Sequence, residues 1–250
     1  MNSVAAGRAA LIWDLVTEQA ASRPGLVSAV DVCAAAVEVL PVSGAWVTAR
    51  GAVGMAHLMC VTDEVSEKLA ELQMTLGEGP EQDAFSSGSP VLISDLDDED
   101  AARGWPGFTP QARQVKAAAI FALPLRIGAI RVGSLGLYRD TPGPLSALEF
   151  GDALILADTA TVVLLESQHP GGQAAAAGTG PGGQPPDLAM HRAEVDQATG
   201  MVSEQLGVPI AEAFVRLRAY AYAEDRRLSD VARDIVARRL RLSHDPRQGS

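Results

Sequence analysis

The 250-residue chain is 47% hydrophobic and 20% charged, and its 31 Asp and Glu against 20 Lys and Arg give a formal net charge of −11. No run approaches the ~18 consecutive apolar residues that a bilayer span requires, and Asp14 and Glu18 interrupt the apolar stretch near the start that a secretory signal would need. A single core seldom extends over ~250 residues, so the expectation is a soluble, cytoplasmic chain of two domains.

In chain order, residues 9–21 and 26–40 carry apolar positions at helical spacing, the second through Val30, Cys33, Ala34, Val37 and Leu40 as far as Pro41. Five short strands are expected at 45–48, 57–61, 91–93, 119–125 and 130–138, separated by Gly- and Pro-bearing turns at 77–80, 104–107 and 141–143. Ser146 and Glu149 form a capping box before a long amphipathic helix to Ser167, with Leu148, Leu154, Ala157, Thr161, Leu164 and Leu165 on one broad face. Helices segregated from an antiparallel sheet define an α+β domain.

Few residues in this part suggest chemistry. Cys33 and Cys60 have apolar neighbours and read as two buried, inert thiols, too few for a disulfide scaffold or a four-cysteine zinc site. His57 reads as a core or pocket-edge imidazole; no histidine pair has metal-ligand spacing, and no cofactor is expected. The Gly77-x-Gly79 turn lacks the Lys of a phosphate loop, and Asp95–Asp100 has Asp and Pro where a calcium loop needs Gly and Glu. Trp46, His57, Phe121 and Tyr138 remain as candidates to line an apolar ligand pocket.

Residues 10–168 resemble a GAF domain, a small-molecule sensing module. The resemblance is carried by Thr75-Leu-Gly-Glu-Gly-Pro80, Asp83-Ala84, Gly88-Ser-Pro-Val91, Asp95-Leu96, Trp105-Pro-x-Phe108, Pro124-Leu125 and Gly133-x-Leu-x-Leu-Tyr138. Glu81 stands where the family often has Cys, and the Asn-Lys…Asp-Glu signature of cyclic-nucleotide binders is missing, so the resemblance implies a ligand without naming it.

Residues 169–186, rich in Gly, Pro and Ala and without charge, are expected to form a flexible tether. Its span has no fixed direction, so coupling between the two sides would run through dimerisation or through docking and masking, not torque. Upstream of residue 187 there are 10 basic and 21 acidic side chains; beyond it, 10 and 10. Three short helices are expected there: one through Leu188, Val195, Ala198, Val202 and Leu206, ending at Gly207; a second from Pro209 through Ala213, Phe214, Leu217 and Ala221; and a third from Ser229 and Asp230 through Val231, Ala232, Ile235 and Leu240. Acids at the start of the third helix disfavour major-groove DNA reading, whereas RNA loops can be read by a few shaped contacts.

Gln197-Ala-Thr-Gly-Met-Val202, Leu206-Gly-Val208, Glu212-Ala-Phe214, Leu217-Arg-x-x-Ala221 and Leu228-x-x-Val-Ala232 resemble the ANTAR family of RNA-binding antiterminators over residues 187–242. The resemblance implies a three-helix module that recognises RNA hairpins of the nascent transcript, with Ala198, Thr199, Gly200, Met201 and Arg218 on the recognition face; many members have Lys where this chain has Thr199. With no catalytic constellation in the sequence, the expected protein is not an enzyme: it is a homodimeric, ligand-responsive antitermination regulator without membrane contact. A signalling adaptor that binds protein instead of RNA is the alternative.

Overall fold

The computed structural model describes residues 3–22, 25–51, 55–167 and 186–243. Two helices, α1 (Ser3–Ala21) and α2 (Ala29–Val39), lead into the strands β1 (Gly44–Arg50) and β2 (Ala56–Val61). Then come α3 (Glu64–Leu76), α4 (Pro80–Ser87), β3 (Val91–Ile93), α5 (Glu99–Gly104) and α6 (Phe108–Gln114), followed by the long hairpin β4 (Ala119–Ile127) and β5 (Ile130–Arg139) and by α7 (Ala147–Ser167). The expected tether, 169–186, lies outside the described residues save for Pro186, where α8 (Pro186–Leu206) begins; α9 (Ile210–Ala223) and α10 (Leu228–Val236) follow.

The strands form one antiparallel sheet in the order β2-β1-β5-β4-β3. Side chains alternate across a strand, and here both faces are covered. Ala45, Val47, Phe121, Leu123, Leu135 and Leu137 pack beneath α1, α2 and α7, while Trp46, Ile120 and Tyr138 face the layer of α3 to α6. This two-sided burial is why the strands read as nearly continuous apolar runs. The Ser146 and Glu149 box is present: the Ser146 N–H donates to Glu149 Oε2 at 2.6 Å and the Glu149 N–H to Ser146 Oγ at 3.3 Å.

Three expectations need correction. Four helices, α3 to α6, stand where the sequence suggested only turns, because their apolar faces are narrow and α3 carries a buried Gln73 and Glu71 among its core positions. Cys33 and Cys60 are not separate thiols; packing of α2 on β2 brings them together as a disulfide that closes a loop across the first core layer. The broad face assigned to α7 also divides: Ala157, Thr161 and Leu164 are buried, whereas Leu148 and Leu154 are exposed.

The three-helix module has its own core, built from Val195, Ala198, Val202, Phe214, Leu217, Val231 and Ile235 among others. Gly207, at φ 59°, provides the left-handed turn after α8. The two cores exchange members. Met55, between β1 and β2, is buried in the module's core, and Leu188 of α8 is buried in the sheet's α3-side layer.

Gly136 of β5 lies opposite Trp46, and a Cβ there would overlap the indole ring. Gly136→Ala should therefore destabilise the sheet by about 1–3 kcal/mol, the usual cost of overpacking a closed core. Urea denaturation followed by circular dichroism measures it, and an unchanged midpoint would mean that the indole has room to move.

Candidate nucleic-acid interface and sensor site

The sensor side is organised around Glu81, the first-turn residue of α4. Pro80 starts that helix without needing an N–H partner, and Gly79, at φ 129°, turns the chain so that Glu81 points beneath the sheet. Its carboxyl is almost fully buried and accepts from Trp46 Nε1–H at 2.8 Å, Thr48 Oγ1–H at 2.6 Å and Gln73 Nε2–H at 3.2 Å. In return the Glu81 N–H donates to Gln73 Oε1 at 2.8 Å. Burial pushes the carboxyl pKa up, opposed by the hydrogen bonds from Thr48 and Trp46 and by the charge of Arg50. One polar knot thus ties β1, α3 and α4 together.

The four candidate pocket residues do not converge. Trp46 and Tyr138 share the α3-side layer, where Tyr138 Oη–H donates to Asp63 Oδ1 at 3.2 Å and its pKa is pushed up to about 12 by burial and by Asp63. Phe121 lies in the opposite layer, with the Arg139 guanidinium 5.4 Å from its ring centre. His57 is buried against the module, its Nε2 3.6 Å from Asp196 Oδ1 of α8. Burial lowers the imidazole pKa, Asp196 works against that shift, and Arg192 and Arg50 reinforce it.

The five residues assigned to RNA are also distributed unevenly. Ala198 and Thr199 are fully buried, and the Thr199 hydroxyl donates to the Val195 carbonyl at 2.7 Å. Gly200 is exposed, Met201 partly so. Arg218 of α9 is turned toward the sensor domain, where its Nε–H donates to the Thr75 carbonyl of α3 at 3.1 Å. Its guanidinium occupies the space that a Cβ at residue 77 would fill. Gly77 therefore has two reasons to be glycine: φ is 71° at this C-cap of α3, and Arg218 lies against it.

Around that contact runs a polar seam that the sequence did not announce. Ser229 Oγ–H donates to Glu71 Oε1 at 3.1 Å, and Arg227 lies 3.5 Å from Glu71 and 3.8 Å from Glu67. Burial raises the Glu71 pKa, while Arg227 and the Ser229 hydroxyl hold it down. Glu71 and Arg227, 156 positions apart in sequence, gave no local signal; a carboxylate on the buried side of a helix was the available clue. Beside the seam a groove of about 620 Å³ opens between α3, α6 and the α9–α10 corner, with Leu72, Leu76 and Val115 as apolar lining and Lys68, Arg226 and Arg227 among its charged residues.

Residues 29–165 match the GAF domain family, and residues 189–236 match the ANTAR domain family. Among solved structures, the GAF domain of a phosphoenolpyruvate-protein phosphotransferase from Coxiella burnetii is 17% identical, with 66% of this chain and 98% of that one covered at a TM-score of 0.52. The corresponding GAF domain from Acinetobacter is 11% identical, covering 67% and 96% at 0.47, and the GAF-B domain of DevS from Mycobacterium smegmatis is 22% identical, covering 55% and 91% at 0.38. No curated protein matches the chain. At 17% identity the likeness to the Coxiella burnetii domain speaks for the fold alone, and it agrees with the sheet and its covering helices. The chain belongs to the GAF domain family and carries an ANTAR domain after it, the architecture of a regulator that joins a sensor domain to an RNA-binding one.

Proposed function

We propose that this protein is a signal-responsive antiterminator that binds hairpin RNA through its ANTAR domain, and that the docked arrangement is its RNA-silent state. The observation that carries the reading is Arg218, whose guanidinium is engaged by the Thr75 carbonyl and lies on Gly77. A guanidinium turned onto its own protein presents fewer of its N–H groups to an RNA phosphate. In this reading Ala198 and Thr199 shape α8 from inside, while Gly200, Met201 and a released Arg218 form the contact surface. An effector would act by shifting the docking equilibrium, and the groove between α3, α6 and the α9–α10 corner suits that role because an occupant would touch both domains.

Reversing the seam tests the reading. Glu67→Arg with Glu71→Arg would set two cations against Arg227 and undock the module, so binding to a tandem pair of RNA hairpins should tighten by about tenfold or more, equivalent to ~1.4 kcal/mol. Adding Arg218→Ala should then cost ~1–3 kcal/mol of RNA affinity. Filter binding measures both. Equal affinity of the original and the undocked chain would remove masking, and no RNA binding by either would favour the protein-binding adaptor.

Glu81 gives the sensor domain a pH signature. Its folded pKa lies above the ordinary carboxylate value because of burial, so the folded state takes up the proton more readily than the unfolded one. Its favourable contribution is complete below the unfolded pKa of ~4.3 and is lost as pH rises through the folded value. Glu81→Gln, which cannot ionise, should raise the unfolding midpoint relative to the original chain more at pH 8 than at pH 5. A shift equal at the two pH values would show that ionisation of Glu81 is not at issue.

The homodimer expected from sequence is placed, in this proposal, on the outer surfaces of α1 and α7, where Leu11, Trp13, Leu148, Leu154 and Val162 are exposed. Leu154→Asp with Val162→Asp should convert the ~52 kDa species expected in light scattering to ~26 kDa, twice and once the chain mass of 26.0 kDa. A monomer in the unaltered chain, with and without RNA, would end that assignment.

A further inference from the structure

The even balance of charge in the ANTAR part conceals a strong asymmetry. Residues 186–225 hold three Arg and seven Asp or Glu, whereas residues 226–243 hold six Arg and two Asp. The positive end is a built surface. After α10 the chain turns through Arg238, at φ 58°, and the N–H groups of Arg239 and Leu240 return to the Asp234 carbonyl at 2.8 and 3.2 Å. Leu240 and Leu242 then pack on the module's core, which leaves Arg239 and Arg241, the alternate residues, exposed. Asp234 pins the corner from below: its carboxylate accepts from Arg226 Nη2–H at 2.7 Å and from Arg239 Nε–H at 2.8 Å, two cations sharing one anion. Arg238 and Arg241 are exposed and meet no carboxylate among the described residues.

We infer that this corner, made by Arg238, Arg239 and Arg241, is a second RNA-binding surface that takes the sugar-phosphate backbone, and that it stays open while Arg218 is covered. The inference rests on the RNA-binding reading of the ANTAR domain and adds to it a site that follows, in sequence, the motifs that carry that reading. Its geometry suits phosphate: guanidinium groups fork onto phosphate oxygens, and an extended segment displays successive cations about two residues apart along its length, a row that can follow a backbone. Arg218 on α9 and this corner on α10 are then separate functions. The corner supplies charge-driven, sequence-blind capture, and the masked face supplies discrimination after docking is released.

The test is the salt dependence of RNA binding by the full chain. A fluorescent RNA of two tandem stem-loops is titrated with the original chain and with the undocked Glu67→Arg plus Glu71→Arg chain, each with and without Arg238→Gln plus Arg241→Gln, between about 50 and about 300 mM KCl. Each lost phosphate contact should lower the slope of log Kd against log salt by ~0.7–0.9, so the double Gln chain should lose about 1.5 in slope and bind roughly tenfold more weakly near 100 mM. The loss should be the same in the docked and undocked backgrounds, because the corner is open in both. Both substituted side chains are exposed, so circular dichroism should be unchanged, and an altered spectrum is answered by repeating the comparison with Arg241→Gln alone, where about half the slope change is expected. RNA binding by the original chain with slope and affinity unmoved in either Gln variant overturns the corner and leaves the RNA reading of the module intact. No binding by the original or the undocked chain at about 50 mM salt overturns both.

Discussion

A carboxyl sealed under a sheet is the constraint on which the rest of the sensor domain depends. Glu81 is too polar to be left without donors in an apolar layer, and the groups that answer it come from two other elements: Trp46 and Thr48 on β1 and Gln73 on α3. Satisfying one side chain therefore fixes the position of α3 against the sheet. That helix is the one whose other residues, Glu71, Thr75 and the Gly77 that ends it, receive the ANTAR domain. A change in hydrogen bonding beneath the sheet has only one helix to cross before it reaches Arg218.

The surface of docking is suited to reversal. Its ion pairs, at 3.5 to 3.8 Å with partly exposed arginine, belong to the class worth less than ~1 kcal/mol each, and its hydrogen bonds replace contacts that water would otherwise make. The discriminating groups are the buried ones. Glu71 and His57 carry pKa values displaced in opposite directions by the same cause, burial at the seam: the carboxyl upward and the imidazole downward. Undocking relieves both, so the seam does not favour one end of the pH scale outright; it is a balance of two desolvated groups.

Much of this architecture was legible in the sequence because it is written in local patterns. Short β-type apolar runs bounded by Gly- and Pro-bearing turns located all five strands, Ser146 and Glu149 announced α7, and Gly207 with Pro209 separated α8 from α9, although Pro209 serves as the cap and the helix proper starts at Ile210. The helices α3 to α6 escaped because their buried positions are filled by Ser66, Glu71, Gln73 and Thr109, which look like surface residues until their hydrogen-bond partners are known. The candidate site was legible only as a composition of residue types. Trp46 and Phe121 fall on different faces because they occupy opposite parities on strands paired through β5, a matter of register that no single strand displays. Arg218 was marked by motif, but its partner Thr75 is 143 positions distant, and the cysteine bridge was hidden in the same way, by the packing of a helix on a strand 27 residues further along.

Met55 and Leu188 set the scale of the energy that separates the two arrangements. Each domain completes its apolar interior with one side chain borrowed from the other, and returning a buried Met or Leu to water costs about 1.5–3 kcal/mol apiece. Parting the domains exposes both, a cost on the order of 3–6 kcal/mol before any polar group is counted. A ligand that prefers one arrangement by about two to four powers of ten brings an equilibrium of that size to balance, and about twice as many powers invert it. The pair of exchanged side chains thus acts as the threshold of a switch: it is high enough to keep the domains together in the absence of a signal and low enough for one binding event to overcome.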